Sequence, residues 1–227
     1  MKEKLKELCP ALTEEQLERF ARYYELLVDW NTRMNLTAIT EENEVAEKHF
    51  YDSLAAEKLI PAGARCIDVG TGAGFPGVPL LIVREDITVT LLDGLNKRLV
   101  FLEAVLNELG LSGRAKLVHM RAEDGGRDSA YRGKYDVALT RAVAGLPALL
   151  ELTVPFLKVG GSSICYKGDA AEEIAAAKNA CKLLNCTLAT EDVPAAYGKR
   201  TLVIAKKTAP TAKAYPRKAG TPAKQPL

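Results

Sequence analysis

The feature that most constrains the fold is a glycine-rich turn that directly follows a short apolar run. The run covers residues 64–69 and contains Asp68, and Gly70, Gly72 and Gly74 then occupy alternate positions. Glycines at a strand-to-helix turn let the backbone approach a ligand more closely than any side chain would allow. The turn therefore predicts a buried strand, a tight turn and a helix, with a ligand site beside the turn.

Short apolar runs alternate with helical patterns over most of the chain after Gly63. Apolar residues at helical spacing over residues 99–109 and 174–184 mark two of the intervening helices. This alternation predicts an α/β fold with a doubly wound, mainly parallel sheet. A short loop with Pro and Gly separates the last two extended runs and predicts a terminal antiparallel hairpin. Strands are expected at residues 64–69, 87–92, 115–120, 135–139, 162–166, 187–193 and 201–205.

The first 62 residues show helical periodicity and no strand pattern. A capping box at residues 13–16 precedes apolar residues at helical spacing. A second helix is expected from near Thr40 to just before Pro61. We therefore predict an N-terminal helical extension over residues 1–62, followed by the sheet domain over residues 63–207.

Charge distribution sets the C-terminal end of the chain apart. The net charge is +2, but the last 22 residues hold six lysines or arginines and no acidic residue. Residues 1–205 then carry a net charge of −4, so the body alone lacks the charge of a nonspecific polyanion binder. We predict a basic tail over residues 208–227, acting either as a solubilising segment or as an arm that orders on phosphates.

Composition disfavours membrane, metal and disulfide-based classes. Residues 1–7 mix Lys with Glu, and no run approaches the roughly 18 apolar residues of a membrane span, so we expect a cytoplasmic protein. The five cysteines form no Cys-x-x-Cys pair, and the two histidines, His49 and His119, are far apart in sequence. We expect no metal site and no disulfide framework, and we assign His49 a structural role.

The residue that follows the third glycine indicates which ligand the turn fits. A dinucleotide site requires Gly-x-Gly-x-x-Gly, but the sixth position here is the bulky Phe75, followed by Pro76. S-adenosylmethionine carries no phosphate, so it suits a close-approach turn without a phosphate cradle. The second strand ends at Asp93, where an acid can accept hydrogen bonds from ribose hydroxyls. We predict that S-adenosylmethionine contacts Gly70, Gly72 and Asp93.

Two further strand ends and one helix start supply candidate binding residues. The third strand leads into Ala122 and Glu123, which are placed to meet an adenine, although a plain surface loop fits the same pattern. The fourth strand ends near Arg141, whose guanidinium suits a methionine carboxylate or a phosphate. Lys97 and Arg98 open a helix where the macrodipole favours acids, which indicates either an anionic partner or a solvated helix start.

The sequence at the end of the fourth strand also limits which atoms of a base the protein is expected to methylate. Residues 139–143 read Leu-Thr-Arg-Ala-Val, without the Asp/Asn-Pro-Pro-aromatic motif of enzymes that methylate exocyclic amino groups. No Pro-Cys pair is present to attack cytosine C6, because Cys9-Pro10 has the reverse order. A ring nitrogen such as guanine N7 has a free lone pair and no proton to lose, so alignment with the methyl group suffices. We therefore assign no catalytic side chain.

These segments together resemble the RsmG (GidB) family, bacterial methyltransferases that modify guanine N7 in 16S ribosomal RNA. The resemblance covers nearly the whole chain, and one departure is Gly94, where the family pattern has Ser. The segments that carry it are Trp30-Asn31, Asn35-Leu36-Thr37, His49-Phe50-Tyr51-Asp52-Ser53-Leu54, Asp68 to Pro79, Leu92-Asp93, Leu95-Asn96-Lys97-Arg98, Arg121-Ala122-Glu123, Arg141-Ala142-Val143 and the tail from Tyr215 to Pro222.

The resemblance implies a Rossmann-like class I methyltransferase with a mainly parallel seven-stranded sheet and S-adenosylmethionine near Gly70, Phe75, Ala122-Glu123 and Arg141. It implies methyl transfer to a guanine N7 of 16S ribosomal RNA, either free or in the small ribosomal subunit, by a monomer. It also implies that six cations face the RNA: Lys97, Arg98, Lys167, Arg200, Arg217 and Lys218.

Three other functions are compatible with parts of the sequence. An NAD-dependent oxidoreductase would use the same turn, but Phe75 disfavours it. A non-catalytic RNA-binding protein would suit the basic tail, but it leaves the set of Asp68, Gly70, Gly72 and Asp93 unexplained. A small-molecule methyltransferase also fits, because the turn indicates the cofactor and not the acceptor.

Overall fold

A computed structural model describes residues 1–227 and contains one seven-stranded sheet. The strands are β1 (Arg65–Val69), β2 (Thr88–Asp93), β3 (Ala115–His119), β4 (Tyr135–Arg141), β5 (Leu157–Lys167), β6 (Cys186–Val193) and β7 (Arg200–Lys207). Their order is β3-β2-β1-β4-β5-β7-β6, with β1 to β5 parallel and β7 antiparallel to both β5 and β6. The predicted α/β fold, the mainly parallel sheet and the terminal hairpin are confirmed.

The register of the parallel strands brings their carboxyl ends to one edge of the sheet. Asp68 of β1 pairs with Leu91 of β2, so β2 ends at Asp93 just beyond the end of β1. Arg141 at the end of β4 pairs with Tyr166 of β5. The glycine turn, Asp93 and Arg141 therefore lie at the edge where open α/β sheets bind ligands.

Helices cover both faces of the sheet. Successive side chains of a strand point to opposite faces, so they pack into different apolar clusters. A π-helical segment, Ala46–Tyr51, joins the third and fourth helices, and short 3-10 turns occur at Glu57–Leu59, Ser112–Arg114 and Val154–Phe156. The α-helices are α1 (Lys2–Leu8), α2 (Glu14–Asn31), α3 (Glu42–Val45), α4 (Asp52–Leu54), α5 (Gly77–Val83), α6 (Asn96–Glu108), α7 (Ala122–Gly125), α8 (Leu146–Thr153), α9 (Ala171–Ala176), α10 (Lys178–Leu184) and α11 (Thr221–Lys224).

The N-terminal extension shares its core with the sheet domain. Thr13 caps α2, and Gln16 completes the predicted capping box. Phe20, Tyr23 and Phe50 are fully buried in one 36-residue cluster that also contains residues of β1, β2, α5 and α6. Full burial of a large apolar side chain contributes about 1.5–3 kcal/mol, so these contacts attach the extension firmly to the sheet.

The C-terminal tail packs against the body of the protein. The Arg132 guanidinium donates hydrogen bonds to the backbone oxygens of Thr211, Ala212 and Tyr215. Arg217 forms an ion pair with the fully buried Glu151. The tail is therefore held by its carbonyl groups and one buried ion pair, with α11 as its one helix.

The structure contains no membrane-spanning helix, no metal-binding cluster and no disulfide bond. No helix has both the length and the apolar character needed to cross a lipid bilayer. No three His, Cys, Asp or Glu side chains are grouped so that they could bind a metal ion. All five cysteines are free thiols.

Candidate active site

A cavity of about 410 Å³ opens at the carboxyl edge of the sheet. Its volume lies within the range of about 300–1,000 Å³ that is typical of small-molecule sites. The sheet supplies one side and the N-terminal extension the other. The lining residues are Leu36, Thr37, His49, Gly70, Thr71, Gly72, Ala73, Phe75, Asp93, Arg98, Arg141, Ala142 and Val143.

The glycine turn adopts a left-handed backbone conformation. Gly70 and Gly72 have φ angles of +73° and +61°, a region that favours glycine. The amide of Gly72 donates to Oδ2 of Asp93 over 2.9 Å. A Cβ on Gly70 would lie 2.7 Å from Cγ2 of Val143, so a side chain here would narrow the cavity.

Asp68 lies fully buried beneath the turn. Its Oδ2 accepts hydrogen bonds from the Thr71 hydroxyl and the Gly77 amide, while Oδ1 has no partner. Burial raises the pKa of Asp68 to about 6. Asp68 therefore holds the turn from beneath and does not itself line the cavity.

Asp93 ends β2 at the cavity wall, as predicted. Its oxygens accept hydrogen bonds from the amides of Gly72 and Leu95 and from the Arg98 guanidinium. A carboxylate has about four acceptor sites, so roughly one remains available to a ribose hydroxyl. Ribose binding by Asp93 stays a prediction.

Arg141 connects the sheet to the N-terminal extension. Its Nη1 donates to Oδ2 of Asp52 over 3.0 Å and to the Lys48 carbonyl over 3.1 Å. Its guanidinium lies 4.9 Å from the centroid of the Phe75 ring, within cation–π distance. These contacts hold the guanidinium at the cavity, where it remains available to an anion.

His49 is a cavity residue that the sequence reasoning missed. Its ring stacks on Phe75 with a centroid distance of 4.6 Å. Nη2 of Arg141 can only donate, so Nδ1 of His49 accepts from it, over 3.2 Å. Nε2 then carries the proton and donates to Oγ1 of Thr37 over 2.8 Å. Burial, followed by the charge of Arg141, lowers the pKa of His49 to about 4.

We expect His49 to stay neutral down to about pH 4, whereas an unfolded chain protonates it near pH 6.5. Below pH 6.5 the unfolded state therefore binds the extra proton, and the stability of the folded protein falls by up to about 3 kcal/mol as pH drops to 4. A two-dimensional NMR titration can resolve His49 from His119 and measure this pKa directly.

The control variant is His49→Gln, compared with the wild type by urea unfolding from pH 7 to pH 4.5. Asp68, whose raised pKa acts in the opposite direction over this range, is present in both proteins and cancels in the difference. The wild type should lose more stability on acidification than the variant. Equal losses, or a His49 pKa near 6.5, would show that the ring is not held neutral.

Ala122 and Glu123 lie outside the cavity lining. Ala122 begins α7, and Glu123 is 6% exposed. Oε1 of Glu123 accepts the amide hydrogen of Gly220, over 2.8 Å, from the tail. The tail thus reaches the segment assigned to adenine, and contact of that segment with the cofactor stays a prediction.

Four of the six cations assigned to RNA have an intramolecular partner. Lys97 and Lys218 are exposed and form no ion pair. The other four pairs are Arg98 with Asp93, Lys167 with Glu173, Arg200 with Asp52 and Arg217 with Glu151. These four side chains have a structural role that the sequence did not indicate, and contact with RNA stays a prediction for all six.

The sequence analysis did not predict that the N-terminal extension forms one wall of the cavity. Oδ1 of Asn31 accepts hydrogen bonds from the amides of Leu36 and Thr37 and so shapes the loop that lines the cavity. The available signal was that these residues lie in segments that carry the family resemblance. Without the fold, nothing in the pattern showed that the segments face the glycine turn.

A second cavity of about 470 Å³ adjoins the first. The two share His49, Arg141 and Ala142. The remaining lining residues are Ile39, Lys48, Tyr166, Lys167, Gly168, Tyr197 and Arg200, which include three further cations.

Solved structures share this fold at low sequence identity. An O-methyltransferase from Bacillus cereus in complex with SAH aligns with a TM-score of 0.59 and 14% identity, over 82% of this chain and 91% of that chain. The [4+2]-cyclase SpnF aligns with a TM-score of 0.59 and 16% identity, over 84% of this chain and 95% of that chain. At such identities the similarity defines the fold alone.

The fold is that of the class I S-adenosylmethionine-dependent methyltransferases, and the cavity lies at its glycine turn. Sequence comparison identifies the family. The GidB family model, described as rRNA small subunit methyltransferase G, matches residues 16–203, and the chain belongs to this family.

Two relatives are named Ribosomal RNA small subunit methyltransferase G. The protein of Desulforamulus reducens is 47% identical over 100% of this chain and 97% of its own length. The protein of Streptococcus pyogenes serotype M12 is 47% identical over 96% of this chain and 94% of its own length.

Proposed function

We propose that the protein transfers a methyl group from S-adenosylmethionine to N7 of a guanine in the 16S RNA of the small ribosomal subunit. Family membership supports ribosomal RNA as the substrate class. The observation that carries the proposal is the second cavity, which joins the first at Arg141 and is lined with cations. An acceptor nucleotide placed there would lie next to the cofactor.

The lining of the second cavity suits a nucleotide. Lys48, Lys167 and Arg200 each form an ion pair, with Glu44, Glu173 and Asp52, but Asp52 is shared with Arg141, which leaves one positive charge for a phosphate. Tyr197 offers an aromatic ring beside them. Lysine and arginine only donate hydrogen bonds, so they can bind O6 of a guanine. N7 must receive no hydrogen bond in the reacting complex, because its lone pair forms the bond to the methyl group.

No side chain between the cavities is free to accept a proton. The oxygens of Asp52 accept four hydrogen bonds, from Arg141, Arg200 and Tyr197. Both nitrogens of His49 are engaged. Burial and the nearby Asp52 raise the pKa of Tyr197, which keeps its phenol protonated. An acceptor atom with a lone pair and no proton to lose, such as guanine N7, is consistent with this environment.

The residues around the first cavity fit S-adenosylmethionine. When bound, this cofactor supplies an electrophilic methyl group on a sulfonium centre. Gly70 and Gly72 allow close approach of the backbone, and Arg141 offers a cation to the methionine carboxylate. The chain therefore contributes positioning and charge complementarity rather than a nucleophile.

We further propose that the protein acts in the cytoplasm as a monomer. Lys97 and Lys218 are the cations best placed to contact RNA, because they are exposed and unpaired. Light scattering with and without RNA would give the stoichiometry of the complex.

The proposed reaction predicts that label from methyl-radiolabelled S-adenosylmethionine enters 16S RNA at N7 of guanine. The protein would be incubated with free 16S RNA and, separately, with small subunits from a host that lacks this activity. Borohydride reduction and aniline cleavage would then map N7-methylguanine, and comparison of the two substrates would identify the preferred one.

A reaction without enzyme and a reaction with 23S RNA serve as controls. Absence of label from both forms of the 16S substrate, or label at another atom, would contradict the proposed function. Label in a small molecule of an RNA-free extract would favour a small-molecule acceptor instead.

A further inference from the structure

The buried carboxylate of Asp52 lines neither cavity but accepts a hydrogen bond from Arg141, which lines both. It is 2% exposed, at the start of α4 in the N-terminal extension. Its Oδ2 accepts from Arg141 over 3.0 Å and from Nη2 of Arg200 over 2.8 Å. Its Oδ1 accepts from Nε of Arg200 over 2.7 Å and from the Tyr197 hydroxyl over 2.9 Å.

These partners come from distant parts of the chain. Arg141 ends β4 and lines both cavities, whereas Tyr197 and Arg200 belong to the C-terminal hairpin and line only the second. Asp52 is the one side chain that bonds to all three. Its geometry therefore sets the direction of each guanidinium and of the phenol together.

The charges around Asp52 do not cancel. Two guanidinium groups, 12% and 23% exposed in Arg141 and Arg200, face one carboxylate, which leaves one positive charge in excess. Burial opposes ionisation, but the hydrogen bond from Arg200 and the charge of Arg141 lower the pKa of Asp52. Asp52 is therefore ionised, and the cluster carries one uncompensated positive charge on the two arginines. Both arginines line a cavity, where anionic groups can bind.

We infer that Asp52 is a positioning residue shared by the two binding sites: it orients Arg141 towards the cofactor and Arg200 with Tyr197 towards the acceptor nucleotide. This inference rests on the proposed function, because that function assigns the second cavity to RNA. Asp52 itself contacts neither ligand, since its oxygens are occupied and it is buried. Its effect on binding passes through the residues that it holds.

The test measures two affinities in the same set of variants. Calorimetry gives the Kd for S-adenosylhomocysteine, and filter binding gives the Kd for 16S RNA. Asp52→Asn should raise both constants about tenfold or more, the scale seen when a residue that orients a ligand-binding group is lost. Arg200→Lys should raise the RNA constant and leave the S-adenosylhomocysteine constant within about twofold, because Arg200 lies outside the first cavity.

Asp86→Asn is the matched control. Asp86 accepts from Nε and Nη2 of Arg84 over 2.7 and 2.8 Å, the same bidentate geometry and distances as in the pair of Asp52 with Arg200. Neither Asp86 nor Arg84 lines either cavity. Asp86→Asn should therefore leave both constants unchanged, with all assays run well below the lowest Tm in the set.

Asp52→Glu is a second variant that tests the same residue. It retains the charge but moves the carboxylate by one methylene, so we expect both constants to lie between those of the wild type and Asp52→Asn. If Asp52→Asn does not fold, Asp52→Glu carries the test alone and should still raise both constants.

An increase in only one of the two constants would overturn the shared role. So would an effect of Asp52→Asn no larger than that of Asp86→Asn. The binding measurements are independent of methyl transfer. RNA that binds with the predicted pattern but gains no methyl group at guanine N7 would contradict the proposed function and leave the role of Asp52 supported.

Discussion

Gly74→Ala should destabilise the protein by about 2–6 kcal/mol, a large share of the roughly 5–15 kcal/mol that stabilises a typical domain. Gly74 has a φ of +98°, which strains any residue with a Cβ. A Cβ there would lie 2.5 Å from the Tyr23 hydroxyl oxygen and 2.8 Å from carbons of both Leu102 and Val78. These atoms belong to α2, α6 and α5, so the substitution would force the extension and two helices of the sheet domain apart.

Gly72→Ala is the control for backbone strain. Gly72 has a φ of +61°, and a Cβ there would meet only the Gly70 carbonyl oxygen, at 3.9 Å. It should cost about 1–3 kcal/mol from strain alone. Urea unfolding with equal m-values gives the difference between the variants, which isolates the steric overlap. A difference below about 0.5 kcal/mol would mean that the three neighbours move aside freely.

Arg217→Ala should cost about 3–5 kcal/mol, because it leaves the carboxylate of a fully buried Glu151 without its cation. Arg217 donates to Glu151 from Nε, from Nη2 and from its backbone amide, and only the last bond survives the substitution. Urea unfolding at neutral pH measures this loss.

Lys218→Ala is the neighbouring control. Lys218 is exposed and forms no ion pair, so its removal should change stability by no more than about 0.5 kcal/mol. If Lys218 contacts a phosphate, the slope of log affinity for RNA against log salt should fall by about 1 in this variant. A stable Arg217→Ala protein with a reduced salt slope would instead assign Arg217 to the RNA.

Local pattern was sufficient to predict the sheet and the turn. Strand runs are short, apolar and flanked by turn residues, and all seven predicted strands overlap observed ones. The largest boundary error is in β5, which begins at Leu157 rather than near Ser162 because Gly160 and Gly161 interrupt its apolar pattern. The helix α8 gave little periodic signal, since almost all its residues are buried and it has no polar face.

The wall of the site that the N-terminal extension forms could not be predicted from local sequence pattern. His49 reaches the cavities and Asp52 reaches Arg141 only because the extension packs against α5 and α6, and a lone histidine or aspartate on a helix gives no sign of such packing. The tail shows a similar limit. Arg132 donates hydrogen bonds to its backbone oxygens, which carry no sequence signal.

The position of β7 between β5 and β6 has a consequence for how the enzyme is made. Because β6 pairs only with β7, it cannot join the sheet until the later strand has been synthesised. Tyr197 and Arg200 become part of the second cavity in the same event. A nascent chain in which the glycine turn is already complete therefore still lacks the full lining of the second cavity until β7 has been synthesised.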